Sequence, residues 1–217
     1  MYLLALPPLR KVIDYFSLRN ISSQEIPVVA KTLALLRMFV KISAVTASSP
    51  ENSCFDERKL IQFCFKWCLA SGGLVEEGLK LLCAMLKVSL KQPRSVEMLV
   101  DCGLISFLCQ LMNSDLQSRV GAILFLSIIL EIDNVTSILV KELCESDFFP
   151  RLRDLSSTPS LRPDTQKMLL LLLQKLSLNE DLKKRIEETD FRVLLKICLK
   201  DPANPELCTL AEEISNL

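Results

Sequence analysis

Apolar residues recur at i, i+3 and i+4 along almost the whole chain, and no apolar–polar alternation persists beyond a few residues. This is the period of helices with one buried face, so the pattern predicts an all-α protein. A first helix is expected over 8–18. A second, with Ser22 or Ser23 as its cap and Pro27 in its first turn, is expected to run to about Ser43 on Val28, Val29, Leu33, Leu36, Phe39, Val40 and Ile42. Residues 44–53, with Ser48-Ser49-Pro50, read as a loop.

Beyond that loop the helices fall into triplets. Asp56 opens a helix over 60–70, apolar nearly all round, which Gly72-Gly73 breaks; a long helix follows over 74–90, then a short one from Pro93 to Val100. Gly103 permits a bend into a middle helix over 104–112, and Asn113-Ser114-Asp115 caps a long helix over 116–131. The order short, middle, long returns at 135–144, 148–155 and 164–178, with Pro163 in the first turn of the last. It returns again at 181–187, 191–199 and 205–214, the last behind an Asn204 cap.

A beat of about 44 residues underlies this order. Lys87-Val88-Ser89-Leu90 and Lys175-Leu176-Ser177-Leu178 lie 88 residues apart, with Glu131-Ile132-Asp133-Asn134 midway. Leu60, Leu104, Phe148 and Phe191 keep the same time, spaced 44, 44 and 43. A period of roughly 40–47 residues built from helices alone predicts an α-solenoid, in which each unit buries its apolar face on the next. The expected organisation is one domain over 1–217 with units at about 1–47, 52–91, 92–132, 133–178 and 179–217, open to being part of a longer solenoid.

Composition narrows the chemistry. Lys plus Arg and Asp plus Glu each number 26, so no long-range field attracts nucleic acid or an anionic membrane. The longest apolar runs, at 121–130 and 168–173, fall short of the roughly 18 residues of a bilayer span. Nine cysteines, mostly inside apolar helical runs, read as free thiols in a reducing compartment, cytoplasmic or nuclear. The chain has no His and five glycines, so it offers no Ser-His-Asp or Cys-His arrangement and no Gly-rich phosphate loop. Cys64 and Cys68 sit at i, i+4 but lack the two further ligands a zinc site needs. Neither an enzyme, nor a cofactor, nor a metal site is expected. Trp67 and the leucines at 169–173 read as core, and the short basic clusters Arg151, Arg153, Arg162 and Lys183-Lys184-Arg185 as solvated surface.

Particular residues carry a family resemblance. Leu169 to Leu173, Lys175-Leu176-Ser177, Asn179 and Ile186 resemble the end of the third helix of an armadillo repeat and the entry to the next; Val100-Asp101-Cys102-Gly103-Leu104-Ile105 resembles its first-to-second-helix junction. The chain is thus similar to the armadillo/HEAT-like superfamily, over 52–217 and partially over 8–47. The resemblance implies a right-handed solenoid of about four to five units and a role as a protein-binding scaffold or adaptor. Members that grip extended peptides, such as importin-α-like carriers, bear an Asn ladder on successive third helices. Here that position holds Lys41, Lys87, Glu131 and Lys175, and the position four earlier holds Arg37, Cys83, Ser127 and Leu171. An import-signal receptor is therefore disfavoured.

Two candidate partner surfaces follow. Lys41, Lys87, Glu131 and Lys175, with Arg37, would form a row along the concave groove that the resemblance implies, suited to a mainly acidic partner with a basic residue opposite Glu131. Polar residues bordering apolar helix faces would give the same pattern. The other candidate is the apolar N-terminal end, Tyr2, Leu6, Leu9, Val12, Ile13 and Phe16, which lacks the polar face of the last helix and would hold a partner helix or a second copy. The last helix sets Leu207, Leu210, Ala211 and Ile214 against Glu206, Thr209, Glu212 and Glu213, as a cap should.

Overall fold

The computed structural model describes residues 11–15, 22–46, 57–89, 95–132, 136–158, 161–200 and 203–215, and these are helical with short turns. After a short helical stretch at 11–15 come α1 (Ile26–Thr46), α2 (Glu57–Ala70), α3 (Gly72–Ser89), α4 (Ser95–Asp101), α5 (Leu104–Met112), α6 (Leu116–Ile132), α7 (Ser137–Glu145), α8 (Phe148–Ser156), α9 (Pro163–Leu176), α10 (Glu180–Glu188), α11 (Arg192–Leu199) and α12 (Pro205–Ser215). No strand occurs among the described residues. The chain divides into two compact units, Met1–Gly103 and Leu104–Leu217, where the sequence pattern suggests a single domain.

Local chemistry sets the helix ends. The Asp115 carboxylate accepts from the Ser118 N–H at 3.0 Å, and that donation holds its carboxyl below the ordinary range. Asn179 accepts from the Asp181 and Leu182 N–H groups at the start of α10, and Thr136 from Leu139 N–H at the start of α7. Pro163 begins α9, where its missing N–H has no intrahelical role. Two boundaries differ from the sequence expectation. α1 continues to Thr46 rather than stopping at Ser43, and Gly72-Gly73 forms the first turn of α3 instead of lying between helices. In a first turn the N–H groups lack intrahelical acceptors in any case, so glycine costs less there than in a helix interior. Gly103 follows α4 with φ of 91°, a conformation that only glycine adopts without strain.

In the first unit, α3 packs against both α1 and α2, with α4 against α2 and α3. α3 comes close to α2 at Gly78, where a Cβ would run into the Cys68 Sγ. Trp67, fully buried on α2, meets Phe63 edge to face at 6.0 Å. Both Cys64 and Cys68 are buried here, as core thiols.

In the second unit, helices that are equivalent in the 44-residue beat pack on one another. The middle helices α5 and α8 meet, as do the short helices α7 and α10, while the long helix α9 packs against α6 on one side and α12 on the other. This explains the leucine run. Leu169, Leu170, Leu172, Leu173 and Leu176 are all fully buried, because a helix flanked by two neighbours must be apolar round most of its girth. Each such leucine contributes about 1.5–3 kcal/mol of burial. The Lys167–Glu206 ion pair and the Gln174–Glu213 hydrogen bond lie seven residues apart on both helices, so α9 and α12 run in the same direction. The other marker of the beat is equally buried: Leu60, Leu104, Phe148 and Phe191 are all core residues of their own units.

At Gly78 two magnitudes compete. Alanine gains about 1 kcal/mol of helix propensity over glycine, whereas overpacking a core costs about 1–3 kcal/mol. Gly78→Ala is expected to destabilise the protein in urea unfolding. In a Cys68→Ala background, with the sulfur gone, the same change is expected to become neutral or stabilising.

Candidate interaction surfaces

Lys87, Glu131 and Lys175 fall in the last turns of their long helices and Lys41 lies one turn further from the end of α1, and the four differ in what they can offer. Lys41 near the end of α1 and Lys87 near the end of α3 are exposed, and their helices are neighbours in the first unit. Arg37, one turn before Lys41, is half-buried and paired with Glu77 of α3 at 3.4 Å; Glu77 also accepts from Lys80 at 3.0 Å. Arg37 therefore joins α1 to α3 and is committed within the protein.

In the second unit, Lys175 of α9 pairs with Glu131 of α6 and also reaches the Ser127 carbonyl at 3.5 Å. The two residues share one position of the beat, and the packing of α6 on α9 brings them side by side. The sequence suggests a basic partner group opposite Glu131; Lys175 already occupies that place, so the pair is locally neutral. Of the set, Lys41 and Lys87 are exposed and form no ion pair among the described residues.

Of the N-terminal set, Ile13 is buried and Val12 half-buried, while Tyr2, Leu6, Leu9 and Phe16 lie outside the described residues. A different apolar surface stands nearby on α1. Val28, Leu35 and Met38 are 52%, 49% and 56% exposed, on one stripe of a helix whose other side buries Val29, Leu33 and Leu36. Sequence reasoning missed Leu35 and Met38. Because α1 is apolar round much of its circumference, periodicity reveals that two faces are apolar without saying which is covered.

The arginines of the short basic clusters are tied down locally. Arg151 bonds to Asn113 and pairs with Asp147, Arg153 pairs with Asp154, Arg162 with Asp164 and Arg185 with Glu188. A cleft of about 510 Å³ opens in the second unit over Leu173, Ile186, Phe191, Leu195 and Ile214. On its rim, the Arg192 guanidinium grips Asp190 with two bonds of 2.8 Å and holds that carboxyl well below the usual carboxylate range. Its charged rim is thus largely self-paired. Burial pushes the Cys64 thiol well above its ordinary range and Cys68 up to about 12, which leaves both protonated and inert at neutral pH. The described residues contain no cluster of three or more metal-ligating side chains, and no helix among them is long and apolar enough to cross a membrane.

Compared with protein-family models and with curated proteins, the chain matches none.

Two outcomes follow from this geometry. A double-mutant cycle on Glu131→Ala and Lys175→Ala is expected to give a coupling of about 0.2–1 kcal/mol, the range of a partly exposed pair, shrinking as salt rises to about 1 M. In iodoacetamide labelling at pH 8 followed by mass spectrometry, Cys64 and Cys68 are expected to remain unmodified in the folded protein and to react once denaturant unfolds it.

Proposed function

We propose that this chain is a non-enzymatic protein–protein interaction scaffold, a right-handed α-solenoid of armadillo/HEAT-like repeats. The observation that carries the reading is the packing of equivalent helices one beat apart: α6 on α9 on α12, α5 on α8, and α7 on α10. Repetition of one supersecondary unit is what generates the extended surfaces by which such proteins hold a partner. On this reading the long helices carry the partner-facing positions, and Lys41 and Lys87 are their exposed basic pair. With Glu131 and Lys175 paired to each other and Arg37 paired to Glu77, those two lysines favour an acidic peptide or the acidic face of a partner helix. The absence of the family's Asn ladder, replaced by Lys41, Lys87, Glu131 and Lys175, argues against an import-signal carrier.

The test is the pair Lys41→Glu and Lys87→Glu. Both side chains are exposed, so helicity and melting temperature are expected to stay near wild type, while cross-linking mass spectrometry from cells loses the cross-links joining α1 and α3 to an acidic partner segment. An identical set of cross-links in the variant and in the wild type would contradict the reading.

A further inference from the structure

The exposed stripe on α1 has counterparts that are buried. Lys41 and Lys87 hold the same place in the beat, 46 residues apart. The same shift carries Val28, Lys31, Leu35 and Met38 onto Leu74, Glu77, Leu81 and Ala84 of α3. Leu74, Leu81 and Ala84 are buried, and Glu77 receives Arg37 from α1. These four residues recur at helical spacing on one side of α3, and the Arg37–Glu77 pair identifies that side as the one turned to α1. Moving on by one and two further beats gives Phe125 and Leu169 at the place of Leu35, and both are buried. Leu169 lies on α9, which packs against the long helix one beat earlier. On α3, then, this face lies against the preceding long helix α1, on α6 and α9 its residues Phe125 and Leu169 are buried, and on α1 it is exposed.

From this we infer that α1 is the docking site for one amphipathic helix of a partner protein, laid along Val28, Leu35 and Met38 in the direction that α1 itself follows on α3, with a carboxylate over Lys31. The inference rests on the repeat reading proposed above and deepens it by naming a surface and the chemistry of its occupant. The helical form follows from α3, whose equivalent face is covered by the helix α1. Charge follows from one substitution in the pattern. On α3 the position is Glu77 and the covering helix supplies Arg37; on α1 the position is the exposed Lys31, so the covering helix must supply the opposite sign. The same feature argues against a second copy of this chain. The stripe carries one charge, Lys31, and no carboxylate, so two copies face to face would bring two lysines into an apolar interface with nothing to compensate them.

The covering helix can be imitated. α1 already covers the equivalent face of α3, so a synthetic peptide of residues 26–46 carrying Arg37→Glu supplies the same apolar stripe with the sign that Lys31 requires. Fluorescence anisotropy with this labelled peptide and the full-length chain is expected to show saturable binding. Lys31→Glu or Leu35→Glu in the chain should weaken it by at least about tenfold, with unchanged circular dichroism, because both side chains are exposed. The unaltered 26–46 peptide, with Arg37, is expected to prefer the Lys31→Glu chain, a reversal that no general stickiness would produce. Absence of binding by either peptide would overturn the proposal. So would light scattering that shows a dimer dissociated by Leu35→Glu, which would assign the face to a second copy. Failure here is distinguishable from failure of the scaffold reading, because the Lys41 and Lys87 variant leaves this stripe intact.

Discussion

The long helices of this protein carry broad apolar faces that must be covered, and much of the structure follows from how that demand is met. α9 shows it most fully: five leucines are buried along one broad face, and α6 and α12 both pack against the helix. A helix with one apolar stripe can rest on a single surface, whereas one that is apolar nearly all round must lie between two others. Within the second unit, stacking equivalent helices one beat apart satisfies α9 in this way. At the end of the second unit, α12 resolves the demand by turning Glu206, Thr209, Glu212 and Glu213 to solvent. α1 has no such polar face, and Val28, Leu35 and Met38 are left exposed there.

Charge has a smaller but directive part. The cross-helix pairs Arg37–Glu77, Lys175–Glu131 and Lys167–Glu206 join successive long helices at their polar margins. Partly exposed pairs of this kind contribute little stability, on the order of 1 kcal/mol or less each. Their value lies in register: each fixes which turn of one helix stands beside which turn of the next, which burial alone specifies loosely. They also pair Arg37, Glu131 and Lys175 within the protein, while Lys41 and Lys87 form no ion pair among the described residues.

The fold class was legible because helical periodicity, Asp115 and Asn179 as caps, and Pro163 at a helix start are local signals that point the same way. Leu60, Leu104, Phe148 and Phe191 were legible only as markers of the beat, and the structure shows that all four are buried. Boundaries were less legible. Gly72-Gly73 reads as a breaker because glycine disfavours helix interiors, but the sequence does not say that these two fall in a first turn. The close approach at Gly78 was invisible, since it depends on which residue of α2 lies opposite, and nothing in α3 alone indicates Cys68. Most of the candidate surface was hidden for a related reason. Lys175 and Glu131 were recognisable as equivalent positions, yet whether equivalent residues form a spaced row or a bonded pair depends on the distance between helices. Leu35 and Met38 look like core to any local rule, and only their counterparts Leu81 and Ala84 mark them as a face without its cover.

The central claim is that the long helices of the second unit, one beat apart, lie side by side, in register. Zero-length carbodiimide coupling tests it directly, because it joins an amine to a carboxylate only where the two are already in contact. With the protein dilute enough to exclude coupling between molecules, peptide mapping is predicted to find Lys175 joined to Glu131 and Lys167 joined to Glu206. Recovery of neither product, with both lysines coupled instead to carboxylates elsewhere, would contradict the account.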